Sequence, residues 1–206
     1  MTDSALATTR RFLHGTAELL LSGPQYRTSG RIELCVVAGG FATVAVPALR
    51  VDGGELVTET GRIGLHGRAY TEIAALAGVQ AAEPSDVYAG GPGVRPDEVV
   101  TLDEDALAVC LRALALGESS LLAFAPDVER VLWPEHFDVA ITVDRVNYGV
   151  SPGDGHIDEP YAYVGPHESR RGSFWNMTFG AARPLAELGD TEAVIRFFQA
   201  GRQLAH

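Results

Sequence analysis

An α+β fold with antiparallel sheets is what the sequence predicts, and three observations predict it. Apolar residues recur at helical spacing near the start, in the middle and at the end of the chain. Between those stretches lie short runs in which apolar and polar residues alternate. Glycine-rich turns, Gly39-Gly40 and Asp52-Gly53-Gly54, join several of the runs, which suits strands that fold straight back on one another.

The first helix is expected over residues 3–21, with Leu6, Leu13, Ala17, Leu20 and Leu21 on one face, and Gly23-Pro24 is expected to end it. Ile32, Leu34 and Val36 share one face of a strand, and residues 41–46, 49–51, 55–58 and 63–65 continue the sheet. A short helix follows at residues 71–77, closed by Gly78. Thr101-Leu-Asp-Glu104 has the capping-box pattern and opens a helix whose stripe is Leu107, Cys110, Leu111, Leu114, Leu121 and Leu122. Strands are expected at residues 137–143, 146–150, 161–164 and 174–179. Pro184 opens a short helix, and Asp190-Thr191 caps a last one carrying Val194, Phe197, Phe198 and Leu204.

The order helix, strands, short helix occurs twice. The chain therefore reads as a first α+β half (residues 1–82), a Gly- and Pro-rich connection (83–101) and a second α+β half (102–206) in one compact unit. Two pseudo-repeated halves packed around a pseudo-two-fold axis is one arrangement; a single-copy α+β domain is the other.

The net charge of −11 is confined to the second part: seven Arg balance seven acids through Gln80, and nine Arg face twenty acids beyond it. With no basic stripe to offset that, nucleic acid is not an expected partner. No apolar run has the roughly 18 residues of a membrane span, so no membrane partner is expected either. Cys35 and Cys110 lie in separate apolar stretches and read as two reduced thiols, which makes the cytoplasm the expected location. All sixteen basic residues are Arg; without lysine, Schiff-base chemistry, a Walker-type phosphate lysine and a Ser-Lys dyad are excluded. Neither GxSxG nor GxGxxG occurs.

The candidate site lies in the second half. With a side-chain period of two, Phe137, Val139, Ile141 and Val143 point one way, and His136, Asp138, Ala140 and Thr142 the other. Glu159, Tyr161 and Tyr163 alternate with apolar neighbours, as does Asn176. Antiparallel pairing would collect His136, Asp138, Glu159, Tyr161, Tyr163 and Asn176 on one face, a mixture of imidazole, carboxylate, phenol and amide that suits a pocket better than a solvated surface. The competing reading is an ordinary half-buried strand showing its polar face to water. Ser151-Pro-Gly-Asp-Gly reads as a turn and nothing more.

On the pocket reading, His136, Asp138 and Glu159 are the candidate catalytic residues, with His136 as general base or ligand. The same three form a candidate set for Zn, Mn or Fe, although no recognised ligand spacing is present. Tyr161, Tyr163, Trp175, Asn176 and Asn147 are the candidate ligand-binding residues.

Leu132-Trp-Pro-Glu-His-Phe-Asp, Asn147-Tyr-Gly-Val-Ser-Pro-Gly-Asp, Glu159-Pro-Tyr-Ala-Tyr-Val-Gly-Pro and Phe174-Trp-Asn-Met-Thr-Phe-Gly together resemble an uncharacterised family of actinobacterial proteins. The resemblance covers much of the second half and, more loosely, residues 30–56. That family has no assigned activity, so the resemblance implies no catalytic residues. The expectation is a small-molecule-binding protein, with metal-assisted catalysis as one form of it; the alternative is a non-catalytic acidic interaction or structural protein.

Overall fold

The computed structural model describes residues 4–84, 86–88 and 90–205. Helix α1 (Ala5–Thr16) begins where the Ser4 hydroxyl accepts from the Ala7 amide, a side-chain N-cap; Asp3, the expected first residue, lies outside the described residues. The helix does not end at Gly23-Pro24. It runs through a π-helical turn (Ala17–Ser22) into α2 (Gly23–Ser29). Pro24 can neither donate to the carbonyl four residues back nor fit its ring against it. The wider turn just before it resolves this, with the Gly23 amide bonding Glu18 five residues back. The actual stop is Gly30, in the left-handed conformation at φ 75°.

Ten strands form a single antiparallel sheet: β1 (Leu34–Val37), β2 (Gly40–Thr43), β3 (Arg50–Asp52), β4 (Glu55–Thr58), β5 (Gly61–Gly64), β6 (Val131–Trp133), β7 (Asp138–Val143), β8 (Val146–Ser151), β9 (Tyr161–Pro166) and β10 (Ala181–Pro184). Their order is β10-β9-β8-β7-β6-β1-β2-β3-β4-β5. Each half of the chain thus supplies a five-stranded meander, and the two meet where Leu34 of β1 pairs with Leu132 of β6. What the two halves share is this strand order.

Helices α3 (Tyr70–Leu76), α4 (Glu104–Phe124), α5 (Leu185–Leu188) and α6 (Thr191–Ala205) complete the fold. The cap of α4 is Asp103, whose carboxylate accepts from the Ala106 amide, so the capping pattern at Thr101 is displaced by two residues. α4 is long and apolar enough to cross a membrane by length and composition. Here it lies on the sheet, approaching so closely at Gly117 that a Cβ there would sit 2.5 Å from Val139 and 2.7 Å from Val150. α6 does the same at Gly201 against Val164. Both helices cover the face formed by Val139, Ile141, Tyr148, Val150, Ala162 and Val164, all buried. Of the expected α4 stripe, Cys110, Leu114 and Leu121 are buried, Leu107 and Leu111 are partly covered, and Leu122 is exposed.

The connection between the halves is not a loose linker. Val94 and Val100 belong to the core, and Arg11 of α1 donates to the carbonyls of Pro92 and Gly93 and pairs with Glu98 at 2.8 Å. Residues 174–179, expected as a strand, form turns closed by a Met177–Gly180 bridge; the edge strand is the following segment, β10. Cys35 and Cys110 are unbridged.

Candidate functional site

The face of β7, β8 and β9 turned away from α4 and α6 is polar and concave. The registers Ala140↔Gly149, Gly149↔Tyr163 and Ser151↔Tyr161 place Asp138, Ser151, Tyr161, Gly149 and Tyr163 together on it. Asp138, Ser151, Tyr161 and Tyr163 line a cleft of about 1030 Å³, to which α1 contributes Arg10, Arg11 and His14.

Gly149 is what allows the floor to form. A Cβ at this position would lie 2.6 Å from the Tyr163 ring and hydroxyl. With none there, Tyr163 on β9 lies across the middle strand and donates its hydroxyl to Asp138 Oδ2 on β7. Asp138 is 5 % exposed, and its other oxygen, Oδ1, is out of reach of solvent and has no hydrogen-bond partner among the described residues. Burial pushes the Asp138 carboxyl up from the usual carboxylate range; the Tyr163 hydrogen bond and the charge of His136 oppose this only in part.

A second phenol–carboxylate pair lies alongside. Tyr161 donates to Asp154 Oδ2 at 2.5 Å, and Asp154 Oδ1 accepts from the amides of His156 and Ile157 at 2.7 and 2.9 Å. Burial works to raise the Asp154 carboxyl, but the Tyr161 hydroxyl and the two amides outweigh it and hold the group below its ordinary value. The two neighbouring aspartates are thus driven in opposite directions: Asp138 has the Tyr163 hydroxyl on one oxygen only, and Asp154 has three donors. Both phenols are raised, first by burial and then by their carboxylate partners.

His14 stacks on Phe137, ring centroids 5.5 Å apart, and its Nε2 lies 2.7 Å from the Pro134 carbonyl. A carbonyl only accepts, so Nε2 carries the proton. Burial lowers the His14 pKa to about 4, which leaves the ring neutral at pH 7. Phe137 holds the β6–β7 turn in a left-handed conformation, φ 53°, buried against His14 and Phe41.

Several expected site residues are in the cleft: His136 and Asp138 from the catalytic set, and Tyr161, Tyr163 and Asn147 from the binding set. His136 sits at the rim on the β6–β7 turn, its side chain 71 % exposed and 3.8 Å from Glu135. Asn147 Oδ1 accepts from Thr142 and faces His167 Nε2 at 3.3 Å.

Three expected residues are elsewhere. Glu159 is exposed in the β8–β9 loop, before the strand whose alternation was to orient it, and does not line the cleft. Trp175 packs edge-on against Phe174, which in turn meets Phe197 of α6. Asn176 follows the outer edge of β10, its amide donating to the Ala182 carbonyl and accepting from the Ala182 amide, in place of a further strand. The metal set falls with Glu159: among the described residues no three His, Cys, Asp or Glu side chains are grouped so as to hold an ion.

Alternation along the strands left out several contributors. Arg10, Arg11 and His14 come from a helix more than 100 residues away in sequence, where no strand period points to them. Asp154 falls in Ser151-Pro-Gly-Asp-Gly, a turn signature, and is both a turn residue and a floor residue. Glu18 lies in the π-helical turn beside the cleft-lining Gly91; burial raises its carboxyl to about 7, and Tyr88 donates to it at 3.1 Å. The proline at position 24 was the available signal for that local widening.

No family model, no curated protein and no solved structure matches the chain.

Proposed function

We propose that this protein binds a small polar organic molecule in the cleft on β7, β8 and β9. The observation that carries the reading is the pair of phenol–carboxylate hydrogen bonds, Tyr163–Asp138 and Tyr161–Asp154, built side by side on a concave face. Packing alone would favour apolar groups there, since each buried carboxyl costs desolvation. Polar groups held rigidly by one another in a concavity are what fixes the orientation of a bound molecule. The volume, about 1030 Å³, is at the upper end for small-molecule sites.

Gly155 offers a clean test, because it lines the cleft and a Cβ built on it meets nothing within 4 Å. Gly155→Trp should therefore fill the cleft without disturbing the fold. In a ligand-observed NMR screen of polar aromatic fragments, the hits on the native protein should be lost in Gly155→Trp while its denaturant midpoint stays unchanged. Fragments that bind both proteins equally would remove the cleft as the binding site and favour a protein whose acidic surface, not its cleft, meets a partner.

A further inference from the structure

The hydrogen-bond valences of the cleft tell what chemistry it lacks. Its side-chain acceptors are almost all engaged from within. Asp154 receives three bonds, Asn147 Oδ1 faces two donors, and the Ser151 hydroxyl both donates to and accepts from Gly153. Asp138 Oδ2 receives Tyr163, and Oδ1 is sealed from solvent. Glu135, at the rim, lies 3.8 Å from the His136 ring.

The donors are in the opposite condition. Arg10 reaches from α1 to the loop after β8, where Gly153 has no side chain to obstruct it; a Cβ there would lie 2.5 Å from Arg10 Nη1. Arg10 donates to the carbonyls of Asp158 at 2.7 Å and Asp154 at 3.3 Å. These are neutral acceptors that take two of its five N–H groups, and no carboxylate lies at ion-pair distance from it among the described residues. The neighbouring Arg11 differs, since Glu98 pairs with it. The amide nitrogen of Asn147 and the ring nitrogens of His156 make no hydrogen bond among the described residues. Apolar surface stands beside these donors: Phe179 lies edge-on to both Tyr163 and His156, with centroids 6.3 and 6.4 Å apart.

We infer that the cleft takes a small organic anion, an oxyanion on a flat apolar body, with Arg10 as its charge partner and the aromatic rings against its body. The inference rests on the reading that the cleft binds a small molecule and adds the sign of the ligand's charge. A carboxylate or a phosphate presents the acceptor oxygens that the guanidinium fork matches. An amine would bring more donors to a cleft with few open acceptors and meet the charge of Arg10.

Three probes of one shape decide it: benzoate, benzamide and benzylamine, titrated against the isotope-labelled native protein, Arg10→Gln and Arg10→Lys, with cleft amides as reporters. Benzoate should bind about tenfold more tightly than benzamide, the scale of one charge-assisted hydrogen bond, and benzylamine most weakly. Arg10→Gln also loosens the loop that Arg10 holds, and that alone would weaken all three probes alike. The readout is therefore the benzoate-to-benzamide ratio, which should collapse to near one in Arg10→Gln and be largely kept in Arg10→Lys. A preference for benzylamine, or a ratio unchanged in Arg10→Gln, overturns the inference and leaves the cleft a binding site of another kind. If none of the three perturbs cleft amides, the proposed function falls and takes this inference with it.

Discussion

Truncating Ile141 to alanine should destabilise the protein by about 2–5 kcal/mol, the range for emptying a well-packed aliphatic site. Ile141 is 3 % exposed on β7, pairs with Tyr148 across the β7–β8 ladder, and points to the side covered by α4 and α6. Tyr148 in turn packs against Phe124 and Phe198, with centroids 4.8 and 5.8 Å apart, so the surroundings are rigid aromatics that collapse poorly into a void. Urea unfolding followed by circular dichroism measures the effect. An unchanged midpoint would mean that Ile141 does not face the helices. The phase of β7 would then be inverted, and with it the assignment of Asp138 to the cleft, because a one-residue slip exchanges the two faces of a strand.

The second large effect concerns Asp138 and depends on pH. The native state keeps the Asp138 carboxyl protonated over a range in which the unfolded chain has released the proton, because burial raises the native pKa. Native protein then holds one proton more than unfolded protein, and stability falls as pH rises above about 4, by about 1.4 kcal/mol per pH unit, until the native pKa is passed. In the Asp138→Asn variant the side-chain amide has nearly the same shape, can still accept from Tyr163, and does not ionise. The variant's stability relative to the native protein should thus grow with pH at about that slope. Two other buried groups titrate nearby. His14, with its pKa lowered to about 4, makes stability rise with pH, whereas Glu18, raised to about 7, makes it fall. Both are common to the two proteins and cancel in the difference. Paired urea denaturations from about pH 4 to about pH 8 test this, and a difference that does not change with pH would mean that Asp138 is ionised and solvated in the native state.

Both expectations show what the chain discloses locally. The period of two in residues 137–143 and 161–164 was enough to place Asp138, Tyr161 and Tyr163 on one face, because register in a sheet buried on one side follows the apolar pattern. The same reasoning failed at residues 174–179, where Trp175, Met177 and Phe179 alternate with Asn176 and Thr178 as a strand would. There the Asn176 side chain takes up the hydrogen bonds of the β10 edge, and a side chain acting as backbone leaves no periodic trace. It failed at Glu159 because the β8–β9 loop is long enough to end the strand period before Tyr161. Gly23-Pro24 looked like a helix stop because those residues break an ordinary α-turn; a π-helical turn lets the same residues pass. The key position of the floor, Gly149, reads in sequence as an unremarked glycine in Asn147-Tyr-Gly. Its meaning depends on Tyr163 lying over it from the next strand, a relation between chain segments that no local pattern encodes.

The central claim is that a small molecule binds on the polar face of β7, β8 and β9, and amide mapping by two-dimensional NMR tests it most directly. Titrating the labelled protein with the hits of the fragment screen should move the amides of Asp138, Gly149, Tyr161, Tyr163 and the 153–156 loop, together with those of Arg10 and His14 on α1. Amides along α4 and α6, behind the sheet, should stay in place. Shifts concentrated instead on α4 and α6, or scattered over the surface with the cleft silent, would contradict the account.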